Sequence, residues 1–515
     1  MDRDPERLAS VLEDAAHYPG GHATGVARPC TVDEVAALVA RTPRILAAGA
    51  QSSLTGGATP RGDLVLSTSR LSGLTMGEDH VVAGAGLTLQ ALQDALAPHG
   101  RWFPPVPTYL GATVGGAVST NAAGAATFKY GSVRPWVTAL TMVLADGSVL
   151  SLARGQVRAG ADGFQLVSPD RRVTVSIAPL PLPEVPKCSA GYPLAAGMDA
   201  IDLFIGAEGT LGVVVEATLR VVPRPAAVAW ALVPVRSEPE AIALVQALRQ
   251  ASRDTWSSGD PAGIDIAAIE HMDARSLAIA GEDGAFDRFD IHLPAGTGVV
   301  LLVQLELPEG DASRDLWAEL ADVRAPGVRD TPLVRFCRVL DAHGCLEEAE
   351  VALPHQERRA AQFAALREAV PSGVNRRVAV AQSSIDPRIS KTAADMIVPM
   401  DRFGEMMRTC RALFEAAGLD LAVWGHISDG NVHPNLIPTS YADVERGREA
   451  ILELGRAVTA MGGCPLAEHG VGRNDQKQRL LRELYGDSGL DAMRAVKRAL
   501  DPEGRFGAGI LWPAG

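Results

Sequence analysis

The chain is 515 residues long, too long for one compact core and enough for two or three domains of roughly 100–200 residues each. Its 47% hydrophobic and 21% charged residues, with 52 Gly and 34 Pro, are the composition of an ordinary globular protein, so disorder is not the default. A formal net charge of −13 without any run of Lys or Arg excludes nucleic acid as a partner, and no apolar run approaches the roughly 20 residues of a membrane span.

The N-terminal stretch MDRDPERLASVLEDAAHYPGG mixes acids with bases and lacks the apolar segment of a signal peptide. Six cysteines (Cys30, Cys188, Cys337, Cys345, Cys410, Cys464) stand without a CxxC pair, which argues against an iron–sulfur cluster, a zinc knuckle or a disulfide framework. A soluble protein of the reducing cytoplasm is expected. From about residue 30 to 225, short β-like runs alternate with Gly-rich turns and two helices. One follows Thr31, with Glu34 completing a capping box and Val35, Leu38 and Val39 on one face. The other starts near Thr88, carries Leu89, Leu92 and Leu96, and stops at Gly100. Val137–Leu144, the Asp146-Gly147 turn and Leu150–Leu152 read as a hairpin. The Pro/Gly-rich stretch between Leu152 and Asp199, with APLPLPEVP at its centre, reads as an irregular surface excursion. A turn and long strand follow in LFIGAEGTLGVVVEATLRVVPRP, whose prolines at 223 and 225 mark a domain boundary.

Beyond it an open α+β pattern is predicted. It has strands at Val228–Val235, Val299–Glu306 and Leu421–Trp424, and helices at Glu238–Ser252, Ala312–Ala321, His355–Val370 and Met400–Ala417. The last quarter reads as mostly helical.

The segment LAAGAQSSLTGGA at 46–58 follows a likely strand and gathers Gly49, Gln51, Ser52, Ser53, Thr55, Gly56 and Gly57 into one turn. Glycines let the backbone approach a ligand and present N–H groups, and hydroxyls add donors, so the loop suits a pyrophosphate, although such loops are more often plain turns. Walker A lacks its Lys-Ser/Thr pair here and no GxGxxG opens a helix. Further Gly-rich loops at 104–124 (PPVPTYLGATVGGAVSTNAAG), 129–135 (KYGSVRP) and 206–212 (GAEGTLG) can converge on one extended ligand.

On these loops, residues 29–225 resemble the FAD-binding domain of the vanillyl-alcohol oxidase/p-cresol methylhydroxylase superfamily. The resemblance implies a two-part FAD-binding domain over 1–225 and a substrate domain over 226–515, the last ~50 residues of which pack back on the first. It implies that Gly49, Ala50, Gln51, Ser52, Ser53, Thr55 and Gly56 hold the FAD pyrophosphate. Pro107, Thr108, Gly111, Gly115, Gly116, Asn121, Gly124 and Gly131 would line the adenosine and flavin, with Glu208, Gly209, Gly212 and Val213. The first loop reads Gly49-Ala50-Gln51-Ser52 where the family usually has three glycines and a threonine. No histidine stands between His99 and His271, so FAD is expected without a covalent bond.

A second signal is VWGHISDGNVHPNL at 423–436. His426 and His433 are seven apart, but Gly425, Gly430 and Pro434 make a helix improbable, and a strand–turn–strand bending at Asp429-Gly430-Asn431 can fold both imidazoles toward one point. Two imidazoles plus a carboxylate, with Glu468 of AEHGVGR as the candidate and His469 beside it, form a common divalent-metal site; solvated surface histidines are the plainer reading.

HISDGNVH followed by EHGVG, with AIEHMD at 268–273, LREAVP at 366–371 and LDPEG at 500–504, resembles the D-2-hydroxyacid dehydrogenase branch of that superfamily. That branch includes D-lactate, D-2-hydroxyglutarate and glycolate dehydrogenases. The resemblance implies that His426, His433 and Glu468 bind a divalent metal (Zn, Mn or Fe), that His469 is the base, and that Arg367 and Asn435 contact the substrate, a small 2-hydroxy acid. Three departures bear on the substrate: Ala393 replaces a lysine two residues before Asp395, Cys188 stands where an asparagine is expected, and Gly507-Ala-Gly-Ile510 replaces a terminal NPGK. The electron acceptor is not written in the chain, and a homodimer is left open. Two alternatives stand: an alkylglycerone-phosphate-synthase-like FAD transferase, and a flavin-binding subunit without its own turnover.

Overall fold

The structure, a computed structural model, describes residues 2–105, 107–168, 172–308, 323–324 and 329–513. It is an α+β protein of two compact units. The first comprises Met1–Gly124, Gly131–Arg224 and Leu466–Gly515; the second comprises Ala125–Tyr130 and Pro225–Pro465.

The first unit holds a parallel sheet in the order His22–Ala27, Arg61–Ser67, Ile45–Ala48. Parallel neighbours need a crossover, and helix Val32–Arg41 supplies one. Thr31 caps it by accepting from Glu34 N, and the Glu34 carboxylate turns back to Cys30 N at 2.6 Å, one residue earlier than a standard capping box. Its buried Val35 and Val39 pack with Ile45, Leu66, Val143, Val213 and Phe506. The second sheet is antiparallel, in the order Leu74–Met76, His80–Gly84, Val213–Arg220, Val137–Val143, Val149–Ala153. The expected hairpin at Asp146-Gly147 is its edge, with Val143 opposite Val149.

The 152–199 stretch is not the irregular surface excursion expected. Strands Phe164–Val167 and Arg172–Val175 pair in it, with Phe164, Leu166, Val173 and Val175 alternating inward, and Lys187 and Tyr192 are fully buried. Its prolines hid a period-two pattern only four residues long.

The second unit is built on a seven-stranded antiparallel sheet in the order Glu350–Ala352, Ala227–Val235, Val299–Leu307, Ile266–Asp273, Leu421–Gly425, Asn431–Leu436, Met396–Ile397. Helix Glu238–Ser258 runs beyond the expected end at Ser252 and stops at left-handed Gly259. The helix expected to end at Val370 continues through Pro371 as Glu357–Ser384. Its buried Phe363, Leu366, Val370, Val374 and Val378 keep a helical stripe across the proline, and that burial outweighs the missing N–H. The helix predicted at 312–321 lies outside the described residues. Residues 125–130 join this unit because Lys129 Nζ meets Asp265 at 2.6 Å and Glu306 at 2.5 Å, while Tyr130 donates to Glu306 at 2.7 Å.

Candidate active site

In the second unit, strand Leu421–Gly425, a turn at Ile427–Asp429 and strand Asn431–Leu436 form the expected strand–turn–strand, with Trp424 opposite His433. His426 and His433 are both buried, with ring centroids 5.4 Å apart and planes at 88°. The bend requires glycine: Gly430 has φ 88°, and a Cβ there would lie 2.2 Å from Val398 O. At Gly425 a Cβ would fall 2.6 Å from the Val432 Cα, so the two strands can close only without a side chain.

Strand Ile266–Asp273 pairs His271 with Gly425 and Met272 with Trp424, so one step further along that register Glu270 comes opposite His426. Glu270 Oε1 lies 2.5 Å from His426 Nδ1, and Glu270 Oε2 accepts from Arg367 Nε at 2.8 Å. Burial alone would raise the Glu270 carboxyl, but His426 and Arg367 outweigh it and hold it well below the usual carboxylate range. Arg367 also donates Nη1 to Glu368 at 2.8 Å. At the other histidine, Asp395 Oδ1 lies 3.4 Å from His433 Nδ1 and accepts from Asn431 Nδ2 at 2.9 Å. Asn435 donates to His433 O at 2.9 Å, and its buried Oδ1 has no hydrogen-bond partner among the described residues. Paired imidazoles with carboxylates at their backs suit a divalent cation of the zinc, manganese or iron kind.

In the first unit, Glu468 and His469 sit on a tied-down loop. Lys187 Nζ meets Glu468 Oε1 at 2.5 Å, with side-chain exposures of 1% and 7%. Ser189 donates from N to Leu466 O at 2.9 Å and from Oγ to Ala467 O at 3.2 Å. The Glu208 carboxylate accepts from Val471 N at 2.8 Å and Gly472 N at 2.9 Å, and burial pushes its carboxyl up to about 7. Lys477 Nζ donates to Gly470 O at 3.2 Å, and Arg473 N to Thr55 O at 2.9 Å. His469 is in the left-handed region at φ 67°, a conformation that concentrates at functional sites, and its ring is partly exposed.

The same unit carries the Gly-rich loops, where two of the side chains expected to face a cofactor also bond backbone. Gln51 Nε2 donates to Val11 O at 2.9 Å and Ala58 O at 3.0 Å. Asn121 Oδ1 accepts from Arg134 N at 3.0 Å. Thr55 is buried, Ser52 and Ser53 are half-buried, and Ala50 is exposed. The short helix Val114–Ser119 carries Gly115 against Ala85 and Gly116 under its Thr113 cap. Pro107, Gly111 and Gly131 are half-buried and Thr108 is exposed, whereas Gly124 is buried, as are Gly212 and Val213 beyond half-buried Gly209. Leu54 and Tyr109 are exposed apolar side chains on these loops.

Residues 23–153 match the family described as FAD binding domain, and residues 225–511 match FAD linked oxidases, C-terminal domain. The chain belongs to the FAD-linked oxidases. FAD is the cofactor of this FAD-linked oxidase. It is 27% identical to D-lactate dehydrogenase of Archaeoglobus fulgidus over 93% of this chain and 89% of that protein. Glycolate oxidase subunit GlcD of Bacillus subtilis is 26% identical over 95% and 88%. D-2-hydroxyglutarate dehydrogenase of Xanthomonas citri pv. viticola is 27% identical over 98% and 94%. Among the described residues of the oxidase, no helix is long and apolar enough to cross a membrane.

Sequence reasoning missed Glu270, Asp395 and Lys187 as parts of these arrangements. Glu270 was in view only as a letter of AIEHMD and Asp395 only as the reference point for Ala393, and the usable signal for Glu270 was a carboxylate directly after the apolar run Ile266–Ile269.

Proposed function

We propose that the protein oxidises a D-2-hydroxy acid to the 2-oxo acid, with FAD bound non-covalently in the Gly-rich loops of the first unit. The observation that carries the reading is the buried His426–His433 pair backed by carboxylates, present in a chain whose relatives are named for D-lactate, glycolate and D-2-hydroxyglutarate. We assign His426, His433 and Glu468 as ligands of a divalent metal and His469 as the base, on the motif positions given above.

When bound, the metal acidifies the substrate hydroxyl and FAD accepts the C2 hydride. The chain does the rest. His469, an imidazole whose ordinary pKa lies near neutrality, takes the hydroxyl proton. Arg367 meets the substrate carboxylate with its planar fork, and Asn435, whose buried Oδ1 has no hydrogen-bond partner among the described residues, is a second substrate contact. Six free cysteines support a cytoplasmic setting.

The test is anaerobic bleaching of the flavin's long-wavelength band by a panel of D- and L-2-hydroxy acids, with and without chelator. Chelator-sensitive bleaching by a D-acid is expected. His469→Ala is expected to slow reduction by about 10²–10⁴-fold with FAD retained, the usual contribution of a general base. Bound flavin that no hydroxy acid reduces would overturn the proposal in favour of the transferase.

A further inference from the structure

Glu270 has no part in the chemistry above, yet its two oxygens are divided between a residue read as a metal ligand and a residue read as the substrate clamp. Oε1 is 2.5 Å from His426 Nδ1, and Oε2 is 2.8 Å from Arg367 Nε. The side chain is 4% exposed, so this carboxylate is fixed by these two groups and not by water. We propose that Glu270 is a positioning residue that sets the ligand atom of His426 and the fork of Arg367 together, and that Asp395, itself held by Asn431 Nδ2, positions His433. The inference rests on the metal and substrate reading above.

A carboxylate at Nδ1 fixes the imidazole tautomer and ring angle and makes Nε2 the atom presented to a cation. Asp395 stands in the same relation to His433 Nδ1 at 3.4 Å, and its own oxygen is steadied by Asn431 Nδ2 at 2.9 Å. The two carboxylates differ in what else they hold. Glu270 takes Nε of Arg367, while Nη1 of the same guanidinium meets Glu368, whose side chain is 51% exposed. A half-exposed pair of that kind is weak, so a substrate carboxylate can replace Glu368 on the Nη edge while Glu270 keeps its grip on Nε. One buried anion thereby ties cation binding to substrate binding.

The experiment uses the full-length flavoprotein, stripped with chelator and titrated with Co²⁺ by equilibrium dialysis and elemental analysis. Wild type is compared with Glu270→Gln, Asp395→Asn and His426→Ala. The second readout is the concentration giving half-maximal flavin bleaching at saturating Co²⁺, by whichever of D-lactate, glycolate and D-2-hydroxyglutarate reduces the wild-type flavin. Glu270→Gln is expected to raise the Co²⁺ Kd by about 10–100-fold, as loss of a partner behind a ligand histidine does. It is also expected to raise half-saturation for the acid even when Co²⁺ is saturating, with FAD content as in wild type and a lower metal-free thermal midpoint, because Arg367 is left without its buried anion. Asp395→Asn is expected to raise the Co²⁺ Kd alone. Should Glu270→Gln lose its flavin, Arg367→Lys carries the test, because withdrawing Nε is expected to raise the Co²⁺ Kd several-fold. Wild-type Co²⁺ affinity in Glu270→Gln, or equal effects of the two carboxylate variants on half-saturation, overturns this inference and leaves the metal reading standing. A wild type with no His426-dependent Co²⁺ uptake overturns both.

Discussion

The ion pair between Lys187 and Glu468 offers a sharp energetic test. At 2.5 Å, with an effective dielectric of about 20, the gross attraction is of order 6–7 kcal/mol. Desolvating two ions costs several kcal/mol each, so the net worth of the pair is small. Withdrawing one partner is a different matter: with side chains only 1% and 7% exposed, the remaining charge stays desolvated, and such truncations cost about 3–5 kcal/mol. Lys187→Met and Glu468→Gln should therefore each destabilise the metal-free protein by about 3–5 kcal/mol, while the double variant should lose well under the sum, with a coupling of at least about 2 kcal/mol. The assay is chemical denaturation of all four proteins with chelator and saturating FAD. Losses that add within about 0.5 kcal/mol would refute the claim that these groups are desolvated together.

Two other predictions follow from the same loop and from the histidine bend. Burial raises the Glu208 carboxyl from 4.5 to about 7, so the folded protein binds the proton more tightly than the unfolded chain. The stability tied to that proton is complete below pH ~4.5 and is lost as pH rises through ~7, at most about 3 kcal/mol in all. Thermal unfolding across that window should show Glu208→Gln less pH-dependent than wild type, and parallel profiles would count against the assignment. Gly430→Ala places a Cβ 2.2 Å from Val398 O at φ 88°, which should cost about 1–3 kcal/mol in strain and lower metal content. Unchanged thermal stability together with full metal loading would contradict the role given to that bend.

Much of the site could be read locally. Gly425, Gly430 and Pro434 rule out a helix over the two histidines, and what remains at that spacing is the strand–turn–strand that is found. Capped helices were equally plain, because Thr31 and Thr88 announce their own first turns. What escaped was set by distant packing. Strand Ile266–Asp273 is buried at every position, so it has no alternation to read, and Glu270 meets a histidine 156 residues away only through sheet register. Pro371 misled for a related reason, since its local cost is plain in sequence while the stripe that outweighs it is formed by the fold.

The discontinuous first unit also constrains how the chain is made. Ile45 N bonds Arg505 O at 2.8 Å, and Phe506 completes the core around Val35 and Val39. On the ribosome, those early strands emerge and then wait while residues 225–465 are synthesised, roughly 10–50 s at ordinary elongation rates. Throughout that interval a nascent core lacks its last hydrophobic side chains.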